Sequence, residues 1–99
     1  MKPTHRKPTH PGAYLRTIVL PAIELTQQEI SERIDVSRNT ISGILHEKMR
    51  LSPEVAAKLG RLLGIESGIL LRMQVAYDLW QIEKSGEDLS WIEPISFVA

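Results

Sequence analysis

"TQQEISERIDVSRNTISGIL", residues 26–45, decides how this chain folds. It opens on Thr26 with Glu29 three positions later, a capping box that starts a helix. It continues to Ile34, where the apolar spacing breaks at Asp35-Val36-Ser37. Asp tolerates the left-handed backbone of a tight turn better than most residues. Ser37 is a good N-cap for the next helix, which the spacing carries to about His46.

Two helices across a three-residue turn make a helix-turn-helix, whose helices meet at a steep angle. At 100° per residue, Ile41, Ile44 and Leu45 gather on one third of the second helix. Asn39, Ser42, Gly43 and His46 lie opposite, with Arg38 at the N-terminal end. The apolar side seats the helix, and the polar side has the width and donors for a DNA major groove. Arg can bridge guanine O6 and N7, and Asn can bridge adenine N6 and N7. Gly43 costs about 1 kcal/mol against Ala in a helix, a cost that close approach of a backbone or base would explain. Gln27, opening the first helix, is placed to hold a phosphate beside the helix N-terminus. Lys48 and Arg50 follow the second helix and are expected on phosphate. A plain solvated face, or one that docks a protein, is the competing reading.

Outward from this pair, Pro11 suits a first helical turn and starts a helix through Tyr14, Leu15, Ile18 and Val19, which Pro21 is expected to stop. Ser52-Pro53-Glu54 starts a fourth helix, with Val55, Leu59, Leu62 and Leu63 as its stripe and Gly64 as its end. A last helix runs from about Gly68 to Ser85 and stops at Gly86. No strand is evident before the tail. The expected fold is all-α: a compact domain of five helices joined by short loops at 11–85, a flexible basic arm at 1–10 and a C-terminal tail at 86–99.

The last helix carries two apolar stripes. Ile69, Leu70, Met73, Ala76, Tyr77 and Trp80 form one; Leu71, Val75, Leu79 and Ile82 form the other. A surface helix needs only one. The second is expected to form a homodimer interface, which supplies the twofold symmetry for two half-sites. Alternatively Trp91, Ile92, Ile95, Phe97 and Val98 of the tail fold back over it.

The 99 residues contain no cysteine, which removes disulfides and thiolate zinc sites. The three histidines have no acidic or cysteine partners at ligand spacing, so no metal or cofactor is expected; His5 and His10 fall in the arm. No nucleophile–His–acid order or phosphate loop is present, so neither an enzyme nor a small-molecule substrate is expected. No apolar run reaches the ~18 residues of a membrane span. Ala13–Leu20, broken by Arg16, is too short for a signal peptide, and a cytoplasmic location is expected. The net charge is zero, yet residues 1–50 hold eight Lys/Arg against five Asp/Glu, and residues 51–99 hold four against seven. Basic Lys2, Arg6 and Lys7 fit a phosphate-tracking or simply solvated arm. Glu54, Glu66, Asp78, Glu83, Glu87, Asp88 and Glu93 form an acidic half.

The quoted stretch resembles the helix-turn-helix of the Xre/Cro–CI repressors. "RKPTHPGAYLR" before it and "LGRLLGIESGILLRMQVAYDLW" after it resemble the HigA (VapI-type) antitoxins of type II toxin–antitoxin modules, over about residues 6–82. The resemblance implies a dimeric repressor of its own operon that also neutralises a HigB-type ribonuclease toxin. It also implies phosphate holding by Gln27 and reading of double-stranded operator DNA by Ser37, Arg38, Asn39, Thr40 and Ser42, with His46, Lys48 and Arg50 alongside. Asp35, Ser31 and Glu47 depart from that pattern, which has Gly, a small Ala and Gly there. A free-standing phage-like repressor and a protein–protein module are the alternatives.

Overall fold

The computed structural model describes residues 6–86 and 88–97, and among these there are five helices and no strand. Helix α1 covers residues 11–23, α2 Gln27–Ile34, α3 Arg38–Leu45, α4 Pro53–Leu63 and α5 Ser67–Lys84. The local start and stop signals hold. Thr26 and Glu29 close both arms of the capping box, at 3.1 and 3.0 Å. Ser52 caps α4 ahead of Pro53, and Gly64 ends it in the left-handed region at φ 69°.

Pro21 does not stop α1. The chain is α-helical over Pro11–Tyr14, widens to a π-helical turn over Leu15–Val19, and is α-helical again over Leu20–Ile23. A proline lacks the amide proton, and its ring crowds the carbonyl four residues back. The wide turn resets the hydrogen-bond ladder just before it, so Pro21 falls in a new first turn, where no amide is needed. The helix ends instead at Glu24, which is left-handed at φ 56°.

One apolar cluster joins all five helices. Leu15, Ile30, Ile41, Ile44, Leu45, Leu51, Ala56, Leu59 and Leu70 are its most buried members. Helix α1 reaches α3 because residue 12 is glycine: a Cβ there would stand 1.7 Å from the Ile44 carbonyl oxygen.

Three expectations change at the chain ends. His10, expected in a flexible arm, is 3% exposed. Its Nδ1 accepts the Gly12 amide at 2.9 Å and so caps α1, while its ring meets Tyr77 edge-on at 4.9 Å. His5 and Lys2 lie outside the described residues. On α5, the expected stripe is only partly inward: Leu70 is buried and Met73, Tyr77 and Trp80 are half-buried, but Ile69 and Ala76 are exposed and Gln74, expected at an edge, is buried. The tail does not cover the second stripe of its own helix. Trp91 is 76% exposed, Ile95 86% and Phe97 81%; Val98 lies outside the described residues.

Candidate nucleic-acid interface

The turn between α2 and α3 is Asp35-Val36-Ser37, with Asp35 left-handed at φ 55°. Two side chains hold it. The Ser31 hydroxyl donates to the Val36 carbonyl, which gives the extra oxygen at this helix contact a partner. Lys58 of α4 donates to the Asp35 carbonyl at 3.4 Å. The angle of α3 is therefore fixed from behind.

On the outward side, Arg38 and Asn39 are exposed in the first turn of α3. Ser37 and Thr40 are partly committed to each other. The Ser37 oxygen accepts the Thr40 amide at 3.1 Å, and its hydroxyl donates to Thr40 Oγ1 at 2.9 Å. The Thr40 hydroxyl proton remains to be offered outward. His46 Nδ1 lies 2.9 Å from the Ser42 carbonyl, which can only accept. A proton on Nδ1 leaves Nε2 as an outward acceptor. Gln27 is half-buried at the first position of α2, beside the Thr26 cap.

Gly43 also has a neighbour within its own chain. A Cβ there would press on the flexible end of Met49, so the chain's own loop packs against this glycine. The Gly43 carbonyl also accepts the amides of Lys48 and Met49, at 2.8 and 3.1 Å.

That loop, residues 46–52, is clamped from two sides. Arg16 of α1 donates to the Leu45 carbonyl and pairs with Glu47 at 3.5 Å. Glu47 is left-handed at φ 62°, where the family pattern has glycine, and Arg16 offsets its charge. From α5, Gln74 Oε1 accepts the buried Leu51 amide at 2.8 Å, and Gln74 Nε2 donates to Asp78 at 2.9 Å. Asp78 in turn takes Arg50 Nε at 2.7 Å. Burial alone would raise the Asp78 carboxyl; the hydrogen bonds from Arg50 and Gln74 outweigh it and hold the group below its ordinary range. Of the two cations expected on phosphate, Lys48 is exposed, while Arg50 is engaged with α5.

The acidic half is also less open than its composition suggests. Glu54 pairs with Lys58 at 3.8 Å, Glu66 with Arg72 at 3.5 Å, and Asp78 with Arg50. Glu83, Asp88 and Glu93 are exposed, and Glu87 lies outside the described residues. Val75, Leu79 and Ile82 are 52%, 57% and 44% exposed, and Leu71 is half-buried at the edge of the core. No helix is long and apolar enough to cross a membrane among the described residues.

Residues 15–70 match the family model described as helix-turn-helix. The matched span holds α2, the turn and α3 whole. The chain belongs to the helix-turn-helix family. Its relatives include the Escherichia coli K12 protein "Uncharacterized HTH-type transcriptional regulator YbaQ", 32% identical over 97% of this chain and 88% of that protein. Antitoxin HigA-1 of Vibrio cholerae is 30% identical over 96% of this chain and 90% of its own length. Among solved structures, Pseudomonas aeruginosa antitoxin HigA with the higBA promoter superposes with a TM-score of 0.77 at 26% identity, covering 91% of this chain and all of that one. The protein is thus a helix-turn-helix DNA-binding regulator of antitoxin-like type, as its resemblance to the HigA antitoxins implies.

The sequence reading missed Gly12, Arg16 and Gln74, and misplaced His10. Each acts through a contact distant in sequence. A small residue in the first turn of α1 was the only local sign.

Proposed function

We propose that this protein is a homodimeric repressor of its own operon and the antitoxin of a HigB-type ribonuclease toxin. The carrying observation is the outward face of α3. Arg38 and Asn39 stand free in its first turn, on a helix whose other side is buried and whose flanking turn and loop are both hydrogen-bonded in place. Preset donors on a rigid element suit base reading better than a merely solvated face does. Gln27 and Lys48 flank that face and take phosphates, and Thr40, Ser42 and His46 Nε2 complete the polar edge. The solved complex of a similar antitoxin with promoter DNA supports the same use of the fold.

Dimerisation uses Leu71, Val75, Leu79 and Ile82 of α5. The toxin meets the acidic end formed by Glu83, Glu87, Asp88 and Glu93. A ribonuclease attracts RNA with a basic surface, and an acidic counter-surface steers and registers it. DNA and toxin then occupy different ends of the chain.

The experiment is a salt-dependent gel shift on the DNA upstream of the gene, with and without the product of the adjacent reading frame. Specific retardation and capture of that product support both roles. Retardation without capture leaves a free-standing repressor. Capture with no retardation at low salt leaves a protein–protein module.

A further inference from the structure

The α5 stripe is small for the dimer it is asked to hold. Val75, Leu79 and Ile82 are each about half exposed, and Leu71 contributes only an edge. Together they offer on the order of 300–400 Å² of apolar surface per copy, against about 800 Å² per partner in a stable interface. The same chain leaves a second apolar surface uncovered. Leu89, Trp91, Ile92, Ile95 and Phe97 are between 46% and 86% exposed. Two are aromatic, and each aromatic is worth roughly 150–250 Å² when buried. Helix face and tail together reach the needed area; neither does so alone.

Shape agrees. The radius of gyration is 16.6 Å, against about 13 Å for a globule of this length. The tail stands off its own domain instead of closing on it. On α5, Leu71, Arg72, Val75, Ala76 and Leu79 line a shallow groove of about 440 Å³ that is apolar except for Arg72. The described tail residues form no helix: Ser90 and Trp91 lie in a turn closed by the Ile92 amide on the Leu89 carbonyl at 3.0 Å, and the Ser90 amide donates to Asp88 Oδ1 at 2.9 Å.

Resting on the dimer reading above, we propose that, in a twofold pair with antiparallel α5 helices, residues 88–97 are an intermolecular clasp: the tail of each copy seats Trp91 and its neighbours in the partner's groove at Leu71–Leu79. The dimer is then two helices and two exchanged tails, and its stability is set by a segment outside the DNA-reading fold.

The test exploits the absence of cysteine. Chains carrying Val75→Cys alone and Trp91→Cys alone are mixed, equilibrated and oxidised. A disulfide between the two kinds of chain is expected, and a chain carrying both substitutions should give covalent dimers. A disulfide closed within one monomer would overturn the exchange. Independently, Trp91→Ala and a chain ending at Gly86 should dimerise at least tenfold more weakly by sedimentation, with unchanged helical circular dichroism. An unchanged dimer constant in either variant overturns the clasp while leaving the dimer intact. If tail removal leaves dimerisation unchanged but abolishes toxin capture, the tail's occupant is the toxin and the clasp is wrong. A monomeric full-length chain at micromolar concentration would remove the dimer reading itself, and the clasp with it.

Discussion

Arg50 and Asp78, 28 residues apart, are joined by two bonds to one oxygen: Arg50 Nε at 2.7 Å and the terminal guanidinium nitrogen at 2.6 Å from Asp78 Oδ2. The pair ties the loop after the recognition helix to the last helix. Its Arg side is 65% exposed, so solvent screens it and its worth to stability is at most about 1 kcal/mol. Its effect on DNA is the sharper readout. Lys48→Ala should reduce the salt slope of binding by about one. Arg50→Ala should reduce it by less, because Asp78 already offsets the charge. Asp78→Asn should strengthen binding to any sequence. Equal slopes for the two cation variants would show that Arg50 leaves Asp78 when DNA arrives.

Gln74 is the most buried polar side chain in that connection, at 1% exposure. Gln74→Ala strands the buried Leu51 amide, which costs about 1–3 kcal/mol. Gln74→Leu should cost a similar amount despite better packing, because the lost acceptor is what matters. Urea denaturation of the three chains checks this; a Leu variant as stable as the wild type would contradict it.

The glycines separate two uses of the same residue. Gly12→Ala drives a methyl into the Ile44 carbonyl, a backbone atom that cannot step aside, and should cost about 3 kcal/mol or more. Gly43→Ala meets the flexible end of Met49 and gains helix propensity of about 1 kcal/mol, so the net change should be small. If Gly43→Ala leaves stability intact but abolishes operator binding, the close-approach reading of that glycine is right after all.

His10 sets a pH dependence. Burial pushes its imidazole below the ordinary value; Glu47, Asp78 and a hydrogen bond to the Met49 backbone oppose this, and Arg16 adds to it. The cap on Gly12 needs Nδ1 without a proton. A folded-state value lower than about 6.5 means that the unfolded chain binds the proton first. Stability from this group is therefore full above about pH 7 and falls as pH drops below 6.5. His10→Asn keeps a capping oxygen and should flatten that slope. Thermal melts between pH 5 and 8 decide it, and an unchanged slope would assign the dependence elsewhere.

What the sequence made legible were the local signals. The capping box at Thr26 and Glu29, the turn at Asp35, the Ser52-Pro53 start and the Gly64 stop each depend on neighbours within four residues. What it hid depends on partners far along the chain. Pro21 reads as a stop, yet the π-helical turn before it lets α1 continue. Gln74 reads as a polar edge, yet the Leu51 amide draws it inside. His10 reads as arm, yet Tyr77 waits for it 67 residues later. Gly43 lies on the predicted face, yet its nearest neighbour is Met49 of the following loop. For the candidate site, the outward position of Arg38 and Asn39 was readable from the helical period alone.

The central claim is that α3 reads bases. Competition binding of wild type, Arg38→Ala and Asn39→Ala to the upstream DNA and to random duplex, at two salt concentrations, tests it most directly. Each variant should lose about 1–3 kcal/mol on the upstream site and tolerate base changes at one position per half-site. Binding to random duplex should stay nearly unchanged for Asn39→Ala. Equal loss on both DNAs, for both variants, would contradict base reading and reduce α3 to a charged surface.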